Sequence, residues 1–354
     1  MTLTRRAFVG SCALGALGTH WGCSRQREQR VTLYSSVDDH VLREVVAAYE
    51  QAAGARVLVV ADTEATKTTG LVQRLIAEKA RPRADVWWSS EPFGTIRLAR
   101  ESILAPGAPA PPLHPASSRL AGSLSAPDAS WHAMSLRARV LAARRGAFDG
   151  APPPTRLRDL ARAGLRVGMA RAQFGTTRGH MTLLASLAGV ETLERWLVAM
   201  RDAGLRLYNG NSSVVRAVAE GEIDIGLTDT DDVWAARRNN WPVDPFFESP
   251  DTPETPPGEN ELPSPGPMLI PCTVAIVAGG PAGTDAARDL ASFLLSPRCE
   301  RILAFSDSHN VPVRDLMPAE LGAFAIPGGY MPDLLRASGF EDPAMAAWLR
   351  VFGG

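Results

Sequence analysis

The sequence predicts an α/β protein of two lobes, each a mainly parallel sheet flanked by helices, the two joined by crossover strands. Three observations carry this. The chain has 354 residues, long for one hydrophobic core and comfortable for two. From residue 31 onward, apolar runs of strand length alternate with amphipathic stretches of helix length, the order that builds parallel sheets covered by helices. A long strand-like stretch at 131–145 then separates this first α/β series from a second.

Taken in order, "VTLYSS" reads as a strand, and "DDHVLREVVAAYEQAAG" as a helix with Val41, Leu42, Val45, Val46 and Tyr49 on one face, closing on Gly54. "RVLVVA" is a second strand, "TTGLVQRLIAEKA" a helix with Leu71, Val72, Leu75 and Ile76 inward, and "ADVWWSS" a third strand. Proline-rich "APGAPAPPLHPAS" at 105–117 is an extended loop. "WHAMSLRARVLAARR" is a long strand fit to cross between lobes. The second series is a helix near 155–163, strand "LRVGMA", helices at 176–188 and 192–203, strand "LRLYN", a helix at 212–220, strand "IDIGL" and a helix from about 231. A second proline-rich loop spans 248–267, "MLIPCTVAIVAG" returns as a long strand, and the last stretch is mostly helical. The implied division is 31–135 with 268–354 as lobe 1 and 136–267 as lobe 2, the C-terminal helices packing on either.

Composition, 45% hydrophobic and 21% charged, is that of an ordered globular protein, and a net charge of -1 argues against nucleic acid as a partner. Residues 1–23 read as an export signal and 24–30 as a polar spacer. Arg5-Arg6 precede the short apolar run Ala7 to Leu17, a pattern similar to a twin-arginine signal. That run is too short and too rich in Gly and Ala for a membrane span. Gly22 before Cys23 resembles a lipoprotein cleavage site, although His20 departs from its usual leucine. Of the other cysteines, Cys12 lies in the signal, while Cys272 and Cys299 form either a disulfide or two buried thiols.

Ligands of parallel α/β sheets bind at the carboxyl ends of strands. The sequence puts Asp229, Asp231 and Asp232 at such an end, after "IDIGL". Carboxylates this close repel unless water, a helix N-terminus, a cation or a basic partner offsets them. Either they cap the following helix or at least one contacts ligand. "GTTRGH" opens a helix whose free N–H groups suit an anion, with Thr176 and Thr177 as hydroxyl donors and Arg178 as a charged fork; an ordinary capped helix with a solvent-facing arginine is the alternative. "NGNSS", with Asn211 and Ser212, offers a second such terminus. Arg137 and Arg139 alternate along the crossover strand and either offset cleft acids or make structural salt bridges.

These segments in this order resemble the periplasmic solute-binding proteins of ABC transporters, in the ferric-ion-binding branch and its relatives. The resemblance covers about 31–320 and rests on "VTLYSSVDDHVLREVVAAYEQAAGARVLVV", "ADVWWSSEP", "WHAMSLRARVLAAR", "YNGNSSVVRAVAEGEIDIGLTDTDDVW" and "IPCTVAIVAGGPAGTDAARDLASFLLSP". It implies the type II periplasmic-binding-protein-like fold, with one ligand clamped between the lobes. Ferric members hold iron through a consecutive tyrosine pair, an acid or histidine from the first loop, a Glu after the third strand, and a small anion. The matching positions are Asp231 and Asp232 for the tyrosines, Asp38 with His40 nearby for the first loop, and Ser90 or Glu91 for the third. The anion segment matches 174–180 with Asn211 and Ser212. The chain departs from the pattern: its four tyrosines, Tyr34, Tyr49, Tyr208 and Tyr330, are unpaired, so the usual tyrosinate site cannot be built.

The function expected is therefore capture of a small solute by an extracytoplasmic monomer, periplasmic and anchored through Cys23 if lipidated, with delivery to an ABC permease. The cargo is Fe3+ or another hard cation with an anion, as the family label implies. Alternatively it is an organic phosphate, a phosphonate or an amine-bearing zwitterion. An exported enzyme on the same scaffold is the other class, disfavoured because no nucleophile, base and orienting group occur in a recognisable pattern.

Overall fold

The structure is a computed structural model that describes residues 30–62, 68–148, 153–161, 164–173 and 175–353. The export signal, Cys23 and most of the spacer lie outside the described residues. Among the described residues no helix is long and apolar enough to cross a membrane.

The first lobe holds β1 (Arg30–Ser35), α1 (Asp39–Ala53), β2 (Arg56–Ala61), α2 (Thr69–Ala77), β3 (Val86–Ser89) and α3 (Pro92–Arg100). β1 pairs in parallel with β2 and β3. α1 forms because Val41, Leu42, Val45 and Tyr49 recur at helical spacing and bury one face. Each such burial contributes roughly 1.5–3 kcal/mol. It stops at Gly54, whose φ of 62° is left-handed and whose N–H bonds Glu50 O at 3.0 Å.

β4 (His132–Arg144) follows and belongs to both lobes. Its residues from His132 to Ala138 pair with β9 (Leu269–Ile276), and β9 in turn pairs antiparallel with β3. From Arg139 to Ala143 it pairs instead with β7 (Ile225–Asp229). The second lobe continues through β5 (Val167–Ala170), α4 (Gly175–Ala188), α5 (Val190–Asp202), β6 (Arg206–Tyr208), α6 (Asn211–Glu220), β7 and α7 (Thr230–Arg238). β5 lies parallel to β6 and β7. After β9 come α8 (Thr284–Leu294), α9 (Pro297–Phe305), the short β10 (Val311–Pro312), α10 (Leu334–Ala337) and α11 (Glu341–Phe352). α8 and α9 close the first lobe's core, while α11 packs on α4 and α5 of the second, with Arg350 bonded to Glu194 at 2.7 Å.

One expectation is corrected, one strand was missed, and the buried-thiol alternative for the cysteines holds. The helix near 155–163 is, among the described residues, a single 3-10 turn at Leu157–Asp159. The neighbouring loop holds this segment: Thr155 Oγ1 bonds Ser249 Oγ at 2.8 Å and Arg158 pairs with Asp251 at 2.7 Å. β8 (Val243–Phe246) was not foreseen because it is short and contains Pro245; a proline is tolerated there since β8 is an edge strand that, among the described residues, pairs only with β4. Cys272 and Cys299 are buried free thiols, which settles against a disulfide.

Candidate functional site

The site is built where β4 changes partner. Arg137 and Arg139 lie two residues apart and so share a face of the strand. The antiparallel register sets Arg139 opposite Asp229, the last residue of β7. Arg139 Nη1 donates to Asp229 Oδ1 at 2.5 Å, and Thr176 Oγ1 donates to the other carboxylate oxygen at 2.5 Å. Asn211 Nδ2 donates to that oxygen as well, at 2.9 Å, and to Thr176 Oγ1 at 3.0 Å. Arg137 donates through Nη1 to Asp231 and through Nη2 to Ser90 O, the latter at 2.7 Å. Burial works against a charged Arg137, but Asp231 and Asp229 overcome it and hold its pKa well above the usual value.

Asp229 and Asp231 are thus balanced by a basic partner, not by helix capping: Asp229 occupies the N-cap position of α7 without making a side-chain cap bond. Asp232 is half-buried, accepts from Thr228 Oγ1 at 3.4 Å, and borders two adjoining spaces. One, a narrow space of about 30 Å³, is bounded by the N-termini of α4 and α6 and by Ser90, Arg137, Arg171, Thr176, Thr177 and Asn211. The other, of about 310 Å³, brings Asp38 and His40 of the first lobe to Asp231, Asp232, Ser212 and Trp241 of the second.

Seven of the nine residues expected from the sequence to hold ligand therefore line one or both spaces: Asp38, Asp231, Asp232, Thr176, Thr177, Asn211 and Ser212. Two do not. Glu91 turns back to cap α3, accepting from Phe93 N at 2.7 Å and Gly94 N at 2.8 Å, and Ser90 takes its place at the cleft. Arg178 does not reach the anion space; its Nε donates to Glu341 of α11 at 2.5 Å. Arg171 was missed, although an arginine directly after the strand-ending "GMA" was a usable signal.

Two features favour an anion in the smaller space. The N-terminus of α6 carries no side-chain cap, Gly210 being its N-cap residue, and the first turn of α4 faces the same volume. The Thr177 hydroxyl is buried there with no hydrogen-bond partner among the described residues. The larger space is the opposite in character, with three carboxylates beside an indole.

A family model for bacterial extracellular solute-binding proteins matches residues 31–305. No curated protein matches the chain. Among solved structures, iron-bound HitA from Pseudomonas aeruginosa is similar with a TM-score of 0.73 at 22% identity, over 91% of this chain and 99% of that one. The ferric binding protein from Campylobacter jejuni gives 0.76 at 17% identity over 91% and 99%. The Trichodesmium protein IdiA (FutA), in complex with iron and citrate, gives 0.68 at 18% over 92% and 100%. Likeness at these identities speaks to the two-lobed type II fold, and the family model speaks to descent: the chain belongs to the bacterial extracellular solute-binding proteins.

Proposed function

We propose that this protein is the extracytoplasmic substrate-binding component of an ABC importer. As a monomer it captures a small organic anion between its lobes and hands it to a membrane permease. The observation that carries the cargo reading is the buried, unpartnered Thr177 hydroxyl between two helix N-termini. A phosphate or phosphonate group placed there would accept from Thr177 and the first-turn N–H groups, with Arg171 at the rim. A positively charged or hydroxyl-bearing remainder would extend toward Asp232, Asp38 and Trp241 in the adjoining space. Contacts to both lobes at once favour their closure. Residues 1–23 serve as the export signal in this reading, and Cys23 as a lipid attachment point; Cys23→Ser then moves the protein from the membrane to the soluble fraction.

A ferric ion or other hard cation with an anion is the second reading. It is favoured by Asp229, Asp231 and Asp232, whose nearest ligand atoms lie within 4.8 Å of one another. Two of these carboxylates already pair with guanidinium groups, so a trivalent ion would stand beside two buried positive charges.

Thr177→Val tests the leading reading because it moves two quantities differently. Without ligand, the fold should be unchanged or slightly more stable, since an unsatisfied buried hydroxyl is removed. The affinity for phosphate or an aminoalkylphosphonate, read by calorimetry, should fall about 10- to 150-fold, the loss of one hydrogen bond to a charged group. Equal affinity in wild type and variant would place the anion elsewhere. Tight binding of ferric citrate, with no response to phosphorus-bearing solutes, would favour the second reading.

A further inference from the structure

Behind the arginine pair lies a separate small chamber of about 10 Å³, room for one compact occupant, which the proposed cargo does not occupy. Its walls come from both lobes. Phe93 and Ile270 belong to the first, His180 and Leu183 to the second, and Leu334 to the C-terminal segment. Most of the wall is carbon, yet Arg139 and His180 also line it. Arg139 is only 5% exposed and His180 3%.

Arg139 meets Asp229 through Nη1 alone, and its Nε and Nη2 have no hydrogen-bond partner among the described residues. Those two nitrogens form the flat edge with which arginine grips an acceptor in two-pronged fashion. Both ring nitrogens of His180 are equally unpartnered. Burial, with Arg139 beside it, holds the imidazole pKa well below the usual value, so the ring is neutral and offers one N–H. Buried donors without partners are costly, and three or more converge on one small volume here. Glu91 is the acidic group on the same wall, but both its oxygens accept from the first turn of α3.

We propose that this chamber binds one compact monovalent anion, of halide size, held between the Nε–Nη2 edge of Arg139 and the N–H of His180. Such an occupant accepts from all the orphaned donors at once, whereas a water accepts from only two and finds one acceptor for its two hydrogens, the unprotonated ring nitrogen of His180, in an otherwise mostly apolar wall. It also touches both lobes and therefore stabilises the packed arrangement of α3 against α4. In that arrangement Phe93 lies so near the helix that a Cβ on Gly179 would meet it at 3.0 Å. The inference is independent of which solute fills the main cleft.

Sodium bromide provides the probe. At constant ionic strength, replacing gluconate, which is too large for the chamber, by chloride or bromide should raise the melting temperature of the full chain by about 2–4 °C. His180→Phe keeps a ring of similar size but has no N–H, and the rise should vanish. Crystals grown in bromide should show an anomalous peak between Arg139 and His180, a measurement that stands even if the variant fails to fold. A water at that point and no bromide signal would overturn the proposal, as would a halide-dependent rise that His180→Phe leaves intact. A peak without any change in melting temperature is binding at crystal concentration only, and overturns it too.

Discussion

Arg139→Met should destabilise the protein by about 3–5 kcal/mol, the usual cost of removing one partner from a buried ion pair. Asp229 has no exposed surface, and after the substitution its carboxylate keeps only Thr176, Asn211 and a distant Arg137, whose Nη2 is 3.8 Å away. Adding Asp229→Asn to Arg139→Met should recover much of the loss, because the stranded charge is then gone and the amide still accepts from its remaining donors. Guanidinium unfolding midpoints of wild type, both single variants and the double variant form a complete cycle. A loss below about 1 kcal/mol for Arg139→Met would mean that water reaches Asp229 and that the pair is not a buried one.

Glu91 gives the second large effect, and it depends on pH. Burial raises its pKa from 4.5 to about 7, with Glu341 adding to the rise and the N–H groups of Gly94 and Phe93 and the charge of Arg178 opposing it. The folded protein therefore holds this proton more tightly than the unfolded chain does. The resulting stabilisation is full below the unfolded pKa and is lost as pH climbs through the folded one. Stability should fall by about 3 kcal/mol as pH rises from below 4.5 to above 7 on this account. Glu91→Gln cannot ionise and keeps one acceptor for the cap, so urea midpoints measured across that range should lose most of their slope. A slope identical to wild type would assign the pH dependence to other groups.

Much of the architecture was legible because periodicity and strand-end chemistry are local signals. The helix that closes on Gly54 and the strand bearing Arg137 both follow from short windows. The convergence of Thr176, Thr177 and Asn211 was expected from the free N–H groups of two helix N-termini and from the match to the family's anion segment. What stayed hidden depends on register. Nothing near Asp229 in the chain says that Arg139 stands opposite it, and the choice among cap, cation and arginine could not be made without that pairing. Arg178 was misjudged for a similar reason: its partner, Glu341, lies 163 residues away on a helix whose packing the pattern left open. Glu91 behaves as a local cap, whereas only its match to a family ligand position had placed it at the site.

The change of partner along β4 has a mechanical consequence. Because one continuous strand serves both sheets, any rotation of one lobe against the other has its fulcrum near Ala138 and Arg139. Points close to a fulcrum travel little. Arg139 and Asp229 lie there, so ligand can enter and leave without tearing buried charges apart. Asp38 and Ser212 border the larger space from different lobes, so a rotation about that fulcrum changes their separation. The chain has placed its costliest electrostatic bonds where motion is least, and has left the moving walls to groups that water can solvate whenever the jaws part.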